Sequence, residues 1–192
     1  GVRAHAAWQE TRTRVRAASA LPAVIVVTAA EHAQRQADNV ADVTVEGTSP
    51  PGTRPHGKRF GSLVHAALAA VDLQAGSAAV GEVVALAGRV LGATDEELAA
   101  ASDTVQRALA HPLLRRAAVT ACRRETPLAV RLEDGTLVEG VVDAAFEDAD
   151  GWTVIDFKTD VELDGRVEAY RHQVSLYARA IAQATGRPAR AV

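Results

Sequence analysis

Residues 136–158, with the sequence TLVEGVVDAAFEDADGWTVIDFK, decide which fold this chain is expected to adopt. Apolar and polar residues alternate on both sides of Asp150-Gly151, a dipeptide typical of a tight hairpin turn. The pattern predicts two antiparallel strands, Thr136 to Glu147 and Trp152 to Lys158. A third strand, Glu125 to Leu132, precedes them across another Asp-Gly pair. The chain is therefore expected to form an antiparallel meander of three strands.

The segments before and after this meander have the apolar spacing of helices. Apolar residues spaced three and four apart predict helices over Phe60 to Leu73 and Ala79 to Leu91, and Thr94 begins a capping box for a third helix. A predicted loop over Asp160 to Gly165 leads into a long amphipathic helix, Arg166 to Thr185. Helices before and after a meander predict an α/β domain, in which a mixed sheet is flanked by helices.

The first part of the chain has a different character. A short helix is predicted over residues 6–20, and Ala23 to Thr28 is a β-branched apolar run. Asp38 to Arg59 contains three prolines and three glycines, so it is expected to be a loop or linker. We interpret residues 1–58 as an arm joined to an upstream region, and residues 59–192 as the folded domain.

The composition limits the function classes that need to be considered. With 192 residues, 48% of them hydrophobic, the chain can form one domain with a sizeable core. Its formal charge of −3 excludes a generally basic nucleic-acid binder, although a local groove can still be basic. No apolar run approaches the roughly 20 residues of a membrane span, and no signal peptide is visible. A cytoplasmic protein without a membrane partner is expected.

The strand alternation separates a core face from a face that carries acids. Strict alternation places these apolar residues together on one face of the middle strand: Val138, Val142, Ala144 and Phe146. It places Asp143 on the opposite face, while Asp156 and Lys158 share a face of the last strand. Adjacent antiparallel strands can therefore bring these three side chains together, and Glu125 of the first strand can join them.

This combination of side chains is suited to phosphodiester hydrolysis. Carboxylates bind hard divalent cations through oxygen, and a lysine beside them can position or deprotonate an attacking water. An Asp-x-Lys alone is more typical of a surface ion pair. Two observations favour function here. The strand around Asp156 is otherwise apolar, and Lys158 is one of only two lysines among 21 basic residues.

Four short motifs in order add a family resemblance. They are Gly61-Ser-Leu-Val-His65, Gly140-Val-Val-Asp143, Val154-Ile-Asp156-Phe-Lys158-Thr-Asp160 and Gln173-Val-Ser-Leu-Tyr177. The chain resembles PD-(D/E)xK nucleases, and is most similar to the C-terminal nuclease domain of RecB/AddA helicase–nucleases over about residues 23–192. The resemblance implies a restriction-endonuclease-like fold.

The resemblance also implies the composition of a metal site. It makes His65, Asp143 and Asp156 metal ligands, with Phe157 lending its backbone carbonyl, and it makes Lys158 the catalytic lysine. A lone histidine in an alanine-rich helix is more often a surface or core residue, but the motif context favours a ligand. The implied cofactor is Mg²⁺ or Mn²⁺, and Asp143 and Asp156 share the catalytic role with the lysine.

Three further residues are matched to the family pattern. Glu125 matches a glutamate of the preceding strand and is a candidate catalytic residue. Gln173 and Tyr177 would line the DNA channel, and their spacing of four places them on one helix face; without the family they could equally be a packed pair at the sheet edge. Some relatives carry a cysteine-bound iron–sulfur cluster, which the single Cys122 excludes within this chain.

The resemblance implies a metal-dependent deoxyribonuclease, an exonuclease in preference to an endonuclease, acting on single-stranded DNA ends in recombinational repair. It also implies a helicase region upstream in the same polypeptide and an AddB/RecC-like partner subunit. The alternatives are an inactive DNA-binding or scaffold domain of the same fold and, less favoured, a standalone exonuclease. The family fold continues into another strand, so at residues 190–192 the chain is either truncated or lacks that strand.

Overall fold

The computed structural model describes residues 1–20, 24–35, 43–47, 55–159 and 166–192. In chain order the elements are α1 (Val2–Ser19), β1 (Val26–Thr28), α2 (Ala29–Gln34), α3 (Lys58–Ala70), α4 (Ser77–Leu91), α5 (Asp95–Ala110), α6 (Pro112–Ala118), β2 (Arg123–Arg131), β3 (Leu137–Asp148), β4 (Gly151–Ile155), α7 (Val167–Thr185) and β5 (Ala189–Ala191). The predicted loop over residues 160–165 and most of the predicted linker lie outside the described residues.

The sheet is mixed, and β3 is its central strand. β2 pairs antiparallel along one edge of β3. The other edge is shared, because β1 pairs parallel with Leu137 to Glu139 while β4 pairs antiparallel with Ala144 to Asp148. β5 then pairs parallel with β4. The predicted meander is confirmed, and the strand expected after the long helix is present over Ala189–Ala191, so the idea that the sheet lacks it is wrong.

Helices cover the sheet on both faces and create two cores. The core on one face, here the α3 core, contains apolar residues of α3 to α6 together with Ala144, Phe146 and Ile155. The core on the other face, here the α7 core, contains residues of α2 and α7 together with Val138, Val142 and Val154.

The prediction that Val138, Val142, Ala144 and Phe146 share one face is wrong. Val138 and Val142 lie in the α7 core, whereas Ala144 and Phe146 lie in the α3 core. The partner strand β2 makes the same change at Glu125, which has a left-handed backbone with a φ of 47°. The pairs on either side, Arg124 with Ala144 and Thr126 with Val142, keep one register. Both strands therefore change face at Glu125 and Asp143, which simple alternation does not anticipate.

Because of this change of face, the Arg124 side chain reaches the C-terminal end of α3. The guanidinium of Arg124 donates to the carbonyl of Leu68 at 2.9 Å and to the carbonyl of Val71. These carbonyls lie at the C-terminal end of α3, where intrahelical partners run out and a basic side chain is favourable. Phe60 and Leu63 of the same helix are fully buried. The helix that carries His65 is thus held to β2 at one end and packed along its length.

The last predicted strand is shorter than expected. β4 ends at Ile155, so the Asp156 to Lys158 segment follows the strand instead of belonging to it. The Asp156 N–H still donates to the Val192 carbonyl at 3.1 Å, which anchors the start of this segment beside β5. Trp152 and Val154 pack in the α7 core and Ile155 in the α3 core, as the alternation predicts.

Part of the predicted arm belongs to this sheet. β1 pairs with β3, and α2, which begins in a capping box formed by Thr28 and Glu31, buries Ala29 and Ala33. By contrast, α1 has no buried residue. The division into an arm over residues 1–58 and a domain over residues 59–192 stays a prediction. Over the described part of the chain, none of the helices is both long and apolar enough to cross a membrane.

Candidate active site

α3 and β3 bring the first two predicted ligands together. His65 Nδ1 lies 3.4 Å from Asp143 Oδ1. The other oxygen of Asp143 accepts a hydrogen bond from the Phe157 N–H at 2.6 Å. The His65 and Phe157 rings meet edge to face, with centroids 6.3 Å apart. The carboxylate of Asp143 therefore joins the histidine helix to the segment that follows β4.

Asp156 and Lys158 form an ion pair in that segment. The Asp156 side chain is only 4% exposed, so its carboxylate depends on protein partners. Lys158 Nζ also donates to the Phe157 carbonyl at 3.3 Å and lies 4.9 Å from the centroid of the Tyr170 ring. The predicted proximity of this aspartate and lysine is thus seen as a direct contact.

α7 supplies a second set of contacts to Asp156. Gln173 Nε2 lies 3.5 Å from Asp156 Oδ1 and 3.1 Å from the Tyr177 hydroxyl. Tyr177 is 2% exposed and lies against the backbone of Gly140. The helix spacing of four therefore brings Gln173 to the site with Tyr177 packed behind it. Their role as DNA contacts stays a prediction.

An open cleft exposes part of this arrangement to solvent. His65, Glu125, Asp143 and Lys158 line it, and the remaining lining residues are Gly61, Ser62 and Thr159. Glu125 reaches the cleft because of its left-handed backbone, a conformation that is uncommon for a residue with a side chain and costs free energy. Such strain at a cleft lined by acids is a reason to look for function there.

The charged groups affect one another. The hydrogen bond with Asp143 raises the pKa of His65, against the opposing effect of burial. Burial raises the pKa of Asp156, and the positive charge of Lys158 works in the opposite direction. Burial, followed by the charge of Asp143, raises the pKa of Glu125. Perturbation of several titratable groups around one cleft is typical of functional sites.

The donor set is chemically suited to a hard divalent cation. Imidazole nitrogen, carboxylate oxygen and a backbone carbonyl such as that of Phe157 are ligands that Mg²⁺ or Mn²⁺ accepts. Among the described residues, however, no group of three or more His, Cys, Asp or Glu side chains is close enough to hold an ion as it stands. Asp156 is directed to Lys158 and Gln173 instead. The residues can hold a cation if the cation replaces Lys158 as the partner of Asp156.

Two features of the site could not be read from the residue pattern. Arg124, which resembles a surface arginine in sequence, holds the end of α3. Gly61, part of a motif but without an assigned role, lies against Thr159, because a Cβ there would be 3.0 Å from Thr159 Oγ1. A glycine a few residues before a site residue, as in Gly61 before His65, is the one sequence signal that points to close backbone approach.

Comparison with known proteins agrees with this architecture. Three curated relatives are each named as one subunit of an ATP-dependent helicase/nuclease. That of Alkaliphilus oremlandii is 43% identical over 60 residues, covering 29% of this chain and 5% of that protein. That of Acetivibrio thermocellus is 38% identical over 81 residues, covering 40% and 6%, and that of Clostridium novyi is 32% identical over 84 residues, covering 34% and 7%. The chain thus spans only a small part of these relatives.

A family model covers much more of the chain. The model of the PD-(D/E)XK nuclease superfamily matches residues 27–192, from β1 to the C-terminal residue and including every residue of the candidate site. The match confirms the family resemblance and the α/β fold with a mixed sheet flanked by helices. This chain therefore belongs to the PD-(D/E)XK nuclease superfamily.

Proposed function

We propose that the chain is a divalent-metal-dependent deoxyribonuclease domain that hydrolyses phosphodiester bonds. The observation that carries this proposal is the convergence of His65, Asp143, Asp156 and Lys158 from three separate segments. A folded chain has no structural need to gather an imidazole, two acids and an amine in and beside one cleft. Burying such groups costs free energy unless they are used or paired.

The ion would be held by His65 Nδ1, the carboxylates of Asp143 and Asp156, and the carbonyl of Phe157. When bound, Mg²⁺ or Mn²⁺ polarises a phosphoryl oxygen, lowers the pKa of a bound water and offsets charge on the leaving oxygen. Asp143 also accepts a hydrogen bond from the Phe157 N–H, which anchors the backbone of the residue that would offer its carbonyl. This arrangement resembles the outer contacts that commonly orient metal ligands.

Lys158 is the residue that acts on the nucleophile. Its ammonium group is within reach of the cleft and can position a water or stabilise negative charge on the phosphorus oxygens. A lysine can also exist without its proton, which an arginine hardly does. Glu125 faces the same cleft and, with its raised pKa, is suited to accept a proton during the reaction.

We further propose a setting like that of the curated relatives, whose names combine helicase and nuclease. A helicase region upstream in the same polypeptide would deliver single-stranded DNA ends, and exonuclease cleavage would serve recombinational repair. Residues 1–58 would contribute the connecting arm, and an AddB/RecC-like protein is the expected partner. No iron–sulfur cluster is proposed for this chain, because Cys122 is its only cysteine.

Incubation of the chain with labelled single- and double-stranded DNA in Mg²⁺, Mn²⁺ or excess EDTA tests the proposal. We expect cleavage with either ion, none in EDTA, and none by Asp143→Asn. Asp150→Asn, at an exposed acid in the β3–β4 turn, is the matched control and should cleave normally. Undiminished cleavage in EDTA contradicts the metal mechanism. DNA binding without cleavage under all conditions favours the inactive scaffold.

A further inference from the structure

The phenol ring of Tyr177 lies directly on the backbone of Gly140. A Cβ built on Gly140 would lie 2.6 Å from the Tyr177 hydroxyl oxygen and 2.7 Å from ring carbon Cε1. Real side chains do not approach so closely, and the atoms in the way belong to a rigid ring. The absence of a side chain at Gly140 therefore creates the space in which Tyr177 is buried, at 2% exposure.

The buried hydroxyl is linked to the acid beside the cleft. Tyr177 Oη lies 3.1 Å from Gln173 Nε2, which lies 3.5 Å from Asp156 Oδ1. Gly140 fixes the position of the Tyr177 ring, and the Tyr177 hydroxyl in turn fixes the position of the Gln173 amide. A polar network of this kind restricts the rotamers of its members.

We propose that Gly140, Tyr177 and Gln173 form a positioning linkage that orients the carboxylate of Asp156, in place of a direct contact with DNA. The linkage rests on the proposed function, in which Asp156 holds the cation. The burial of Tyr177 argues against contact with a large substrate. Lys158 and the cation compete for the same carboxylate, whereas Gln173 is neutral and can hold Oδ1 in both situations. Gln173 thus preserves the orientation of the Asp156 carboxylate when the cation replaces Lys158.

Variants of each member test the linkage. Tyr177→Phe removes only the hydroxyl, Gln173→Ala removes the amide, and Gly140→Ala displaces the ring. Each should raise the Mn²⁺ concentration for half-maximal cleavage by about 10-fold or more, the usual effect of losing a contact that orients a metal ligand. KM for DNA should stay unchanged. Gln183→Ala, at an exposed position of α7, and Gly81→Ala, where a Cβ meets nothing within 4 Å, are the matched controls.

A double substitution tests whether the members act through one another. Gly140→Ala combined with Tyr177→Leu should be no worse than Tyr177→Leu alone, because the ring that the new methyl would displace is gone. Losses that multiply would overturn the linkage. A higher KM for DNA with unchanged Mn²⁺ dependence would also overturn it and identify these residues as DNA contacts. Tyr177→Phe keeps nearly the full side-chain volume. If Gly140→Ala does not fold, the Mn²⁺ dependence of Tyr177→Phe therefore tests the linkage.

Calorimetric titration with Mn²⁺ alone separates this inference from the proposed function. If the wild-type chain binds Mn²⁺ without cleaving DNA, the proposed function fails. Weaker binding in Gln173→Ala and Tyr177→Phe then still supports the linkage, and equal binding overturns it. Asp156→Asn provides the reference for loss of the ligand itself. A wild-type chain that neither binds Mn²⁺ nor cleaves DNA overturns both proposals.

Discussion

Substitution of Lys158 has consequences for stability that can be worked out from its contacts. The Asp156 side chain is 4% exposed, and Lys158 provides its nearby positive charge. Removal of one partner from a fully buried ion pair costs about 3–5 kcal/mol. Lys158 itself is 24% exposed, so water can partly replace it. We therefore expect Lys158→Ala to lower the free energy of unfolding by about 2 kcal/mol, which lowers Tm by about 4–8 °C for a chain of this size.

Comparison of alanine with arginine at this position separates charge from chemistry. Lys158→Arg keeps the positive charge, so it should recover most of the lost stability. Arginine differs in shape and hardly loses its proton. If Lys158 positions or activates water, both variants should cleave DNA about 10²- to 10⁴-fold more slowly than the wild type, the usual contribution of such a group. If Lys158 only balances charge, the arginine variant should retain substantial activity.

The assay combines thermal unfolding in EDTA with single-turnover cleavage in saturating Mn²⁺. Lys58, the other lysine of the chain, is exposed, and its alanine and arginine variants are the matched controls. Added Mn²⁺ should stabilise Lys158→Ala more than the wild type, since the ion replaces the missing charge on Asp156. Wild-type cleavage by Lys158→Ala would refute the catalytic role, and an unchanged Tm would refute the counter-charge reasoning.

Two further predictions concern α3, the helix that carries His65, and its ion pair with α5. The backbone hydrogen bond from Thr94, followed by the side-chain contact with Arg59, lowers the pKa of Glu97. The stability that this lowered pKa contributes is present above the pKa of Glu97 in the unfolded chain and is lost as pH falls through its pKa in the folded chain. In urea unfolding, the free energy of unfolding of Glu97→Gln should therefore fall less steeply with decreasing pH than that of the wild type. An equally steep fall in both proteins would contradict this prediction. Leu63 is 0% exposed, and Leu63→Ala should cost about 2–5 kcal/mol in urea unfolding. Leu86→Ala, at a site 58% exposed, should cost far less, and equal costs would contradict the placement of the α3 core.

The elements that follow from local chemistry were predictable from sequence. The Asp-Gly pairs give the hairpins of the meander because their backbone preferences suit tight turns. Thr94 caps its helix through the reciprocal contacts with Glu97 that the spacing indicates. Gly186, with φ 69°, ends the long helix as predicted. Each of these depends on residues close together in sequence, where propensity and hydrogen bonding act directly.

The central strand β3 changes face at a point that its sequence does not indicate. A period of two assumes an uninterrupted strand, but Glu125 and Asp143 interrupt both partners at the same position. Glutamate is not a residue that indicates a left-handed backbone. The contacts of Arg124 with α3 and of Tyr177 with Gly140 are likewise set by tertiary packing. The site residues could be named from sequence, whereas the network around them required the structure.

The central claim is that one divalent cation is held by residues from α3, β3 and the segment after β4. A crystal structure of the chain grown with Mn²⁺, with anomalous diffraction measured at a wavelength sensitive to manganese, tests it most directly. We expect an anomalous peak contacted by His65, Asp143, Asp156 and the Phe157 carbonyl, with Lys158 moved off Asp156. A peak at other residues, or no peak with the Asp156–Lys158 pair intact at millimolar Mn²⁺, would contradict the proposed cation site.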